Sequence, residues 1–361
     1  MSPPRLRPSA GTALCAVLSL ALTATACGSS GPGASGSTSD SAPGKTTYPL
    51  AFDNCGTKVA FKRPPRRVLI LNGTSVGEVE SFLMLGLDKM ILANAQSYGV
   101  SDDPSMIDKI RSLPTGGLTM NKNFDVPAEQ ILKLKPDLVV STWSGGFDSK
   151  KGFATREQLA AAGINSLVNQ VNCAMGKPDS TPAEKSAYRN QSIDSSFEFL
   201  ALLGRIFDVQ ERASGLVRTL RGRVDAVRAK VAGKSAKKVL IAYPGMAAMN
   251  ANGLPAVMTG GIYDDVIKAA GGVNAFAGKG ENATRTLNKE QLATAQVDVL
   301  VVGLFTPQEK GDAEAAGLLA AYPQWNAAKT RTYTVVSDGV YLGPLNAWGV
   351  EKIAKAVHPD A

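Results

Sequence analysis

The sequence predicts an α/β fold of two lobes joined by a long helix, and three observations predict it. Short apolar runs alternate with helix-period stretches in both halves of the chain. Between the halves, 183–207 has no Pro and a single Gly, and Ile193, Phe197, Leu200, Leu203 and Ile206 recur at three- and four-residue steps. Finally, the halves echo one another. Glu129-Gln130-Ile131-Leu132 precedes Asp137-Leu138-Val139-Val140, and Glu290-Gln291-Leu292-Ala293 precedes Asp298-Val299-Leu300-Val301, with eight residues from Glu to Asp in each.

Taken in order, the body begins at Tyr48. Tyr48–Asp53 and Lys58–Phe61 alternate around Asn54-Cys55-Gly56, which is a hairpin signal. Arg67–Leu71, after Pro64-Pro65, is apolar enough for a strand buried on both faces. Met90–Ala95, Asp137–Thr142 and Asn165–Val168 read as further strands, and Ile107–Ser112, Pro127–Leu134 and Arg156–Ala162 as helices. After the linking helix, Ala213, Leu216, Leu220, Val224, Val227 and Val231 mark a second helix, and Lys237–Ala242 restarts the alternation. The expected organisation is 48–182 for the first lobe, 183–207 for the connecting helix and 208–361 for the second lobe.

Composition narrows the function. The 361 residues are 44% hydrophobic, enough for proper cores. A formal charge of +8 is scattered and aromatics are 6%, with no basic block interleaved with aromatics, so nucleic acid is a poor partner. The single histidine, His358, excludes any site that needs two imidazoles.

Residues 1–26 carry Arg5 and Arg7, an apolar run from Gly11 to Leu22, and Thr23-Ala24-Thr25-Ala26 before Cys27. This is an export signal, too short in its apolar part for a comfortable membrane span. It resembles a bacterial lipoprotein signal, in which Cys27 would carry the lipid; Ala24 stands where that signal usually has Leu. The alternative is an ordinary secretory signal. Residues 27–47, rich in Gly, Ser and Pro, are expected to be a flexible tether. With Cys15 in the signal and Cys27 at the anchor, Cys55 and Cys173 remain, and an oxidising compartment favours pairing them. Two buried thiols are the alternative.

Pro64-Pro65-Arg66-Arg67-Val68-Leu69, Leu85-Gly86-Leu87, Leu134-Lys135-Pro136-Asp137-Leu138-Val139 and Gly271-Gly272-Val273-Asn274 occur in that order. Together they make the chain, from Tyr48 onward, resemble the substrate-binding lipoproteins of ABC importers for ferric siderophores, cobalamin and haem. That resemblance implies two Rossmann-like α/β lobes, a rigid interdomain helix and a ligand cleft between the lobes. It implies an extracytoplasmic monomer without a cofactor, anchored to the outer face of the cytoplasmic membrane, whose partners are an ABC permease with its ATPase and a bulky metal chelate. Family members dock through one Glu per lobe, and the matching positions are Glu129 and Glu290. A helix-start carboxylate favoured by the dipole would look the same.

Ligand contacts are expected from loops that follow strands. The candidates are Asn72, Thr74, Tyr98, Met120, Asn121 and Trp143 in the first lobe, and Tyr243, Met246, Arg285, Phe305 and Tyr341 in the second. The resemblance matches Trp143 and Tyr98 to ligand-facing aromatics of cobalamin-binding relatives. Aromatic walls suit a bulky chelate, and Arg285 suits its oxygens. Core packing is the alternative for each aromatic, and is the expectation for Trp325 and Trp348. A ferric hydroxamate leads, because it needs walls and a few donors but no bond from protein to metal; catecholate, haem and cobalamin follow.

Two other readings compete. Gly73-Thr74-Ser75-Val76-Gly77 matches the nucleophile elbow of a secreted serine esterase, with Asp338 and His358 following in the required order. Against it, Ser75 and Glu78 have capping-box spacing, and His358 stands near the chain end. A sensor or cargo lipoprotein of the same fold, without a transporter, is the other.

Overall fold

A computed structural model describes residues 44–73, 75–96, 100–121, 126–280 and 284–360. The signal, Cys27 and most of the tether, together with Thr74 and Tyr98, lie outside the described residues.

β1 (Leu50–Asn54) and β2 (Thr57–Phe61) form an antiparallel hairpin. Its two turn residues, Cys55 at φ 58° and Gly56 at φ 82°, both take the left-handed conformation that a tight primed turn needs. Cys55 is disulfide-bonded to Cys173, 118 residues away, which ties the hairpin to the first lobe.

The first lobe is a parallel sheet of order β4-β3-β5-β6, made of β3 (Val68–Ile70), β4 (Ile91–Asn94), β5 (Leu138–Ser141) and β6 (Asn165–Val168). β3 and β5 are buried along their whole length, because helices cover both faces. The helices are α1 (Gly77–Met84), α2 (Pro104–Ser112), α3 (Ala128–Leu134) and α4 (Arg156–Ala161).

The continuous helix expected over 183–207 is two helices, α5 (Pro182–Arg189) and α6 (Ile193–Phe207). The break has a local cause. Ser192 N–H donates to Ser195 Oγ at 3.1 Å, starting a new helix, while the Gln191 side chain turns inward to Asn172 at 2.6 Å. α7 (Gln210–Val231) follows after Asp208, at φ 57°.

The second lobe contains β7 (Lys237–Tyr243), β8 (Ala256–Met258), β9 (Gly272–Asn274), β10 (Val299–Leu304) and β11 (Tyr333–Ser337). Its order is β11-β10-β7-β8, with β9 along the other half of the same β7 edge; β8 alone is antiparallel. α8 (Gly261–Ala269), α9 (Lys289–Ala293), α10 (Gly311–Ala321), α11 (Asn326–Thr330) and α12 (Asn346–Val357) complete it.

The sequence echo has a structural counterpart. Asp137 accepts the N–H groups of Arg66 and Arg67 at 2.8 and 3.0 Å, just before β3. Asp298 accepts the N–H of Lys238, in β7, at 2.8 Å. In each lobe this Asp, between a short helix and a strand, fixes the entry of the neighbouring strand.

One apolar core runs from the hairpin and β3 through α6 and α7 to β7, β10 and α12. Two smaller cores lie on the other faces of the two sheets. Since the helical layer shares its core with both lobes, the link between them is packed rather than hinged on a free loop. Among the described residues no helix is long and apolar enough to cross a membrane.

Candidate functional site

The loops leaving the carboxyl ends of the parallel strands in one lobe meet those of the other, and contacts between lobes cluster there. From the first lobe come Asn72, Ser75 and the start of α1 after β3, Gln96 after β4, Thr142 and Trp143 after β5, and Asn169–Asn172 after β6. From the second come Tyr243–Met249 after β7, Phe305 after β10 and Asp338–Leu342 after β11. This is where α/β sheets place ligands.

Part of the junction is shut by polar contacts. Ser75 Oγ donates to Tyr341 O at 3.1 Å. Tyr341 OH donates to Asn172 Oδ1 at 3.0 Å and accepts from Gln191 at 3.3 Å. Asp102, before α2, accepts the N–H and hydroxyl of Ser337 at 3.1 and 3.0 Å and the Lys352 ammonium at 2.7 Å. Gly77 is required here: a Cβ on it would stand 2.9 Å from Leu342 O.

The sequence-predicted residues take up different places. Tyr341 is 8% exposed and stacks on Tyr263 at 5.7 Å between ring centres, within the closed part of the seam. Tyr243 is 1% exposed, with its ring where a Cβ on Gly303 would need to be, and it too belongs to the core. Burial pushes both phenols well above their usual range, so they stay protonated. Trp143 is half-buried, and its ring lies against Gly145 and Gly176, where added Cβ atoms would stand 2.4 and 2.6 Å from it; Lys151 Nζ is 4.3 Å from the ring centre. Asn72, Met246 and Phe305 are half-buried at strand ends, Met120 packs on the first lobe's smaller core, and Asn121 and Arg285 are exposed. Trp325 is buried and donates to Leu292 O, and Trp348 stacks under Arg223.

The expected capping box does not form. Ser75 Oγ accepts from Gly77 N–H at 3.1 Å, while Glu78 is buried and accepts from Gln96 and Thr142 at 2.9 and 2.7 Å. Ser75 is claimed by the seam and Glu78 by the first lobe's own Gln96 and Thr142. The hydrolase pattern also disperses: Ser75 is buried against Tyr341, and His358 Nε2 lies 3.2 Å from Gly271 O.

Sequence reasoning missed Glu309, whose carboxylate accepts the N–H groups of Gly245, Phe305 and Thr306 at 3.0, 2.7 and 2.6 Å and so clamps the loops after β7 and β10 together. It also missed Glu80, Asp102 and Asp338 as seam residues; no local pattern marks a carboxylate whose burial is imposed by the other lobe. Glu129 and Glu290 stand exposed at the second residue of α3 and α9, equivalent places in the two lobes.

Among curated proteins none matches the chain. Its fold is similar to a crystal structure of an ABC-type Fe3+-hydroxamate transport system from Saccharomonospora viridis, at TM-score 0.62 and 23% identity, covering 86% of this chain and 100% of that one. A periplasmic binding protein from Veillonella parvula aligns at TM-score 0.65 and 18% identity over 86% and 97% of the two chains. A periplasmic haem-binding protein from Roseiflexus aligns at TM-score 0.55 and 19% identity over 82% and 98%. Residues 74–332 match the family described as periplasmic binding protein, which takes in β10, most of both lobes and the whole helical layer, and the chain belongs to that family.

Proposed function

We propose that the protein is the extracytoplasmic solute-binding component of an ABC importer, capturing a ferric siderophore of the hydroxamate type and delivering it to a permease. The observation that carries this is the meeting of the two sheets' carboxyl ends, one edge of it closed by Tyr341, Ser75 and Asp102. Trp143, Met246 and Phe305, half-buried near strand ends, and the exposed Arg285 are the candidate contacts in this reading, a set of aromatic, thioether and cationic groups that suits a bulky chelate with oxygen donors. The hydroxamate system from Saccharomonospora viridis, aligned over its full length, supports that choice of ligand. Haem is the second reading, favoured by the haem-binding proteins of Roseiflexus and Pseudomonas aeruginosa among the similar folds. The protein acts by binding, without catalysis. Cys27 carries the lipid in this reading, and a Cys27→Ala chain found still in the membrane fraction would reject that part.

The test is titration of the protein with ferric hydroxamates, ferric catecholates, haem and cobalamin while following Trp fluorescence. Trp325 and Trp348 are packed in place, so the expected result is saturable quenching by ferric hydroxamate that is lost in Trp143→Phe. Response to haem or cobalamin alone would move the assignment to that solute, and silence toward all four would reject the metal-chelate reading.

A further inference from the structure

The seam between the lobes holds two carboxyl groups for which the described residues provide no adequate compensation. Asp338, in the turn after β11, is 1% exposed, and neither of its carboxyl oxygens has a hydrogen-bond partner. Glu80, on α1 of the other lobe, is 0% exposed. Its Oε1 accepts from Ser101 at 2.6 Å, but Oε2 has no partner and lies on the 339–343 turn, 2.9 Å from where a Cβ on Gly339 would stand. An ionised carboxylate so placed bears its full desolvation cost, and two of them in mutual reach repel.

The surroundings add negative charge: Glu78 on α1 and Asp102 and Asp103 before α2 act on Glu80, and Asp102 and Glu309 act on Asp338, while the phenols of Tyr243 and Tyr263 beside Asp338 stay neutral. Lys352 on α12 lies beside this group, and its ammonium is engaged by Asp102 at 2.7 Å. Among the described residues no three Asp, Glu, His or Cys side chains converge as a metal site.

We propose that Glu80 and Asp338, one from each lobe and each buried with an unpartnered carboxyl oxygen, are both held protonated in the seam, making the junction of the lobes a proton-dependent latch that is closed in acid and weakens as pH rises toward the alkaline range. As the pH rises each carboxyl gives its proton to solvent and a buried, uncompensated charge forms in the seam. The latch rests on the seam alone and holds whichever solute the protein carries.

The direction of the pH effect follows from the burial. Glu80 is pushed from 4.5 up to about 8, chiefly by desolvation, and Asp338 well above its ordinary range by desolvation and then by Glu80. A raised acid gives stability that is complete below about 4.5 and is lost as pH rises through about 8.

The experiment is thermal unfolding of the protein across pH, with Asp338→Asn and Glu80→Gln beside the wild type. We expect the wild-type melting temperature to fall by about 3 °C per pH unit as pH rises from about 4.5 toward about 8, and each amide variant to lose at least about half of that slope. Amide exchange at Ser337 and Tyr341, corrected for its intrinsic base catalysis, should accelerate with pH in the wild type more than in the variants. Should Asp338→Asn fail to fold, Glu80→Gln decides. Amide variants that keep the wild-type slope overturn the latch. So does a millimolar calcium or magnesium salt that raises the alkaline melting temperature of the wild type but not of Glu80→Gln, since the pair would then hold a cation.

Discussion

Asn54 is buried at the end of β1, and its carboxamide accepts the N–H of Val168 at 2.8 Å and donates to the Val168 carbonyl at 2.9 Å. One side chain thus supplies the pairing that a further strand would give to the edge of β6. Its oxygen also accepts from Arg156 at 3.0 Å, and that guanidinium bonds Asn54 O, Ser166 Oγ and Ser166 O at 2.6, 2.8 and 2.9 Å. Burial lowers Arg156 to about 10, still charged at neutral pH, so the cation depends on these neutral acceptors. Asn54→Ala would leave one N–H, one carbonyl and part of a buried cation unpaired. The expected cost is about 2–4 kcal/mol, measured as a lower midpoint in urea with an unchanged slope. A loss below about 0.5 kcal/mol would mean that water replaces the carboxamide without penalty.

At the scale of elements, the strands were readable because they are buried on both faces. Val68–Ile70, Leu138–Ser141 and Val299–Gly303 are apolar runs with no polar alternation, and the sequence-predicted strands match the observed ones to within one or two residues. The hairpin was readable from its turn chemistry. What periodicity cannot register is a break dictated by tertiary contact. With no Pro and a single Gly, 183–207 offers no breaker, yet Gln191 is drawn toward Asn172 and Tyr341 and the helix restarts at Ile193. Glu78 and Glu80 were equally hidden, since acids in a first helical turn look like ordinary dipole partners until Gln96 and Thr142 bond the first and the 339–343 turn covers the second. The same contact logic explains Gly303 in β10. A Cβ there would fall 2.2 Å from the Tyr243 ring on the paired strand, and that ring is fixed by its packing against Tyr263. Gly303→Ala should therefore destabilise by about 1–3 kcal/mol, and thermal unfolding should recover most of it when Tyr243→Leu is added. Equal stability of Gly303→Ala and the wild type would show that the Tyr243 ring can move aside.

The whole molecule presents two like surfaces, because α3 and α9 each precede a strand whose entry Asp fixes its neighbour. That repetition sets Glu129 and Glu290 at equivalent exposed positions, one per lobe. Two carboxylates on two lobes joined through one core form a fixed pair, and a fixed pair can be recognised by a rigid receptor carrying two cations at matching separation. Neither residue lies at the strand ends where the lobes meet, so in the proposed reading solute binding and docking are separable. In the Glu129→Ala, Glu290→Ala double variant, solute affinity in vitro should stay within about twofold of wild type, while uptake by cells should fall by roughly tenfold or more. Each single variant should fall between. Charge reversal with Glu129→Arg should weaken uptake further than Glu129→Ala, because like charges would then face each other at one of the two contacts. Measured uptake of the double variant at the wild-type level would remove the two carboxylates from docking and leave them as ordinary helix-start acids, with the permease reading some other part of the surface.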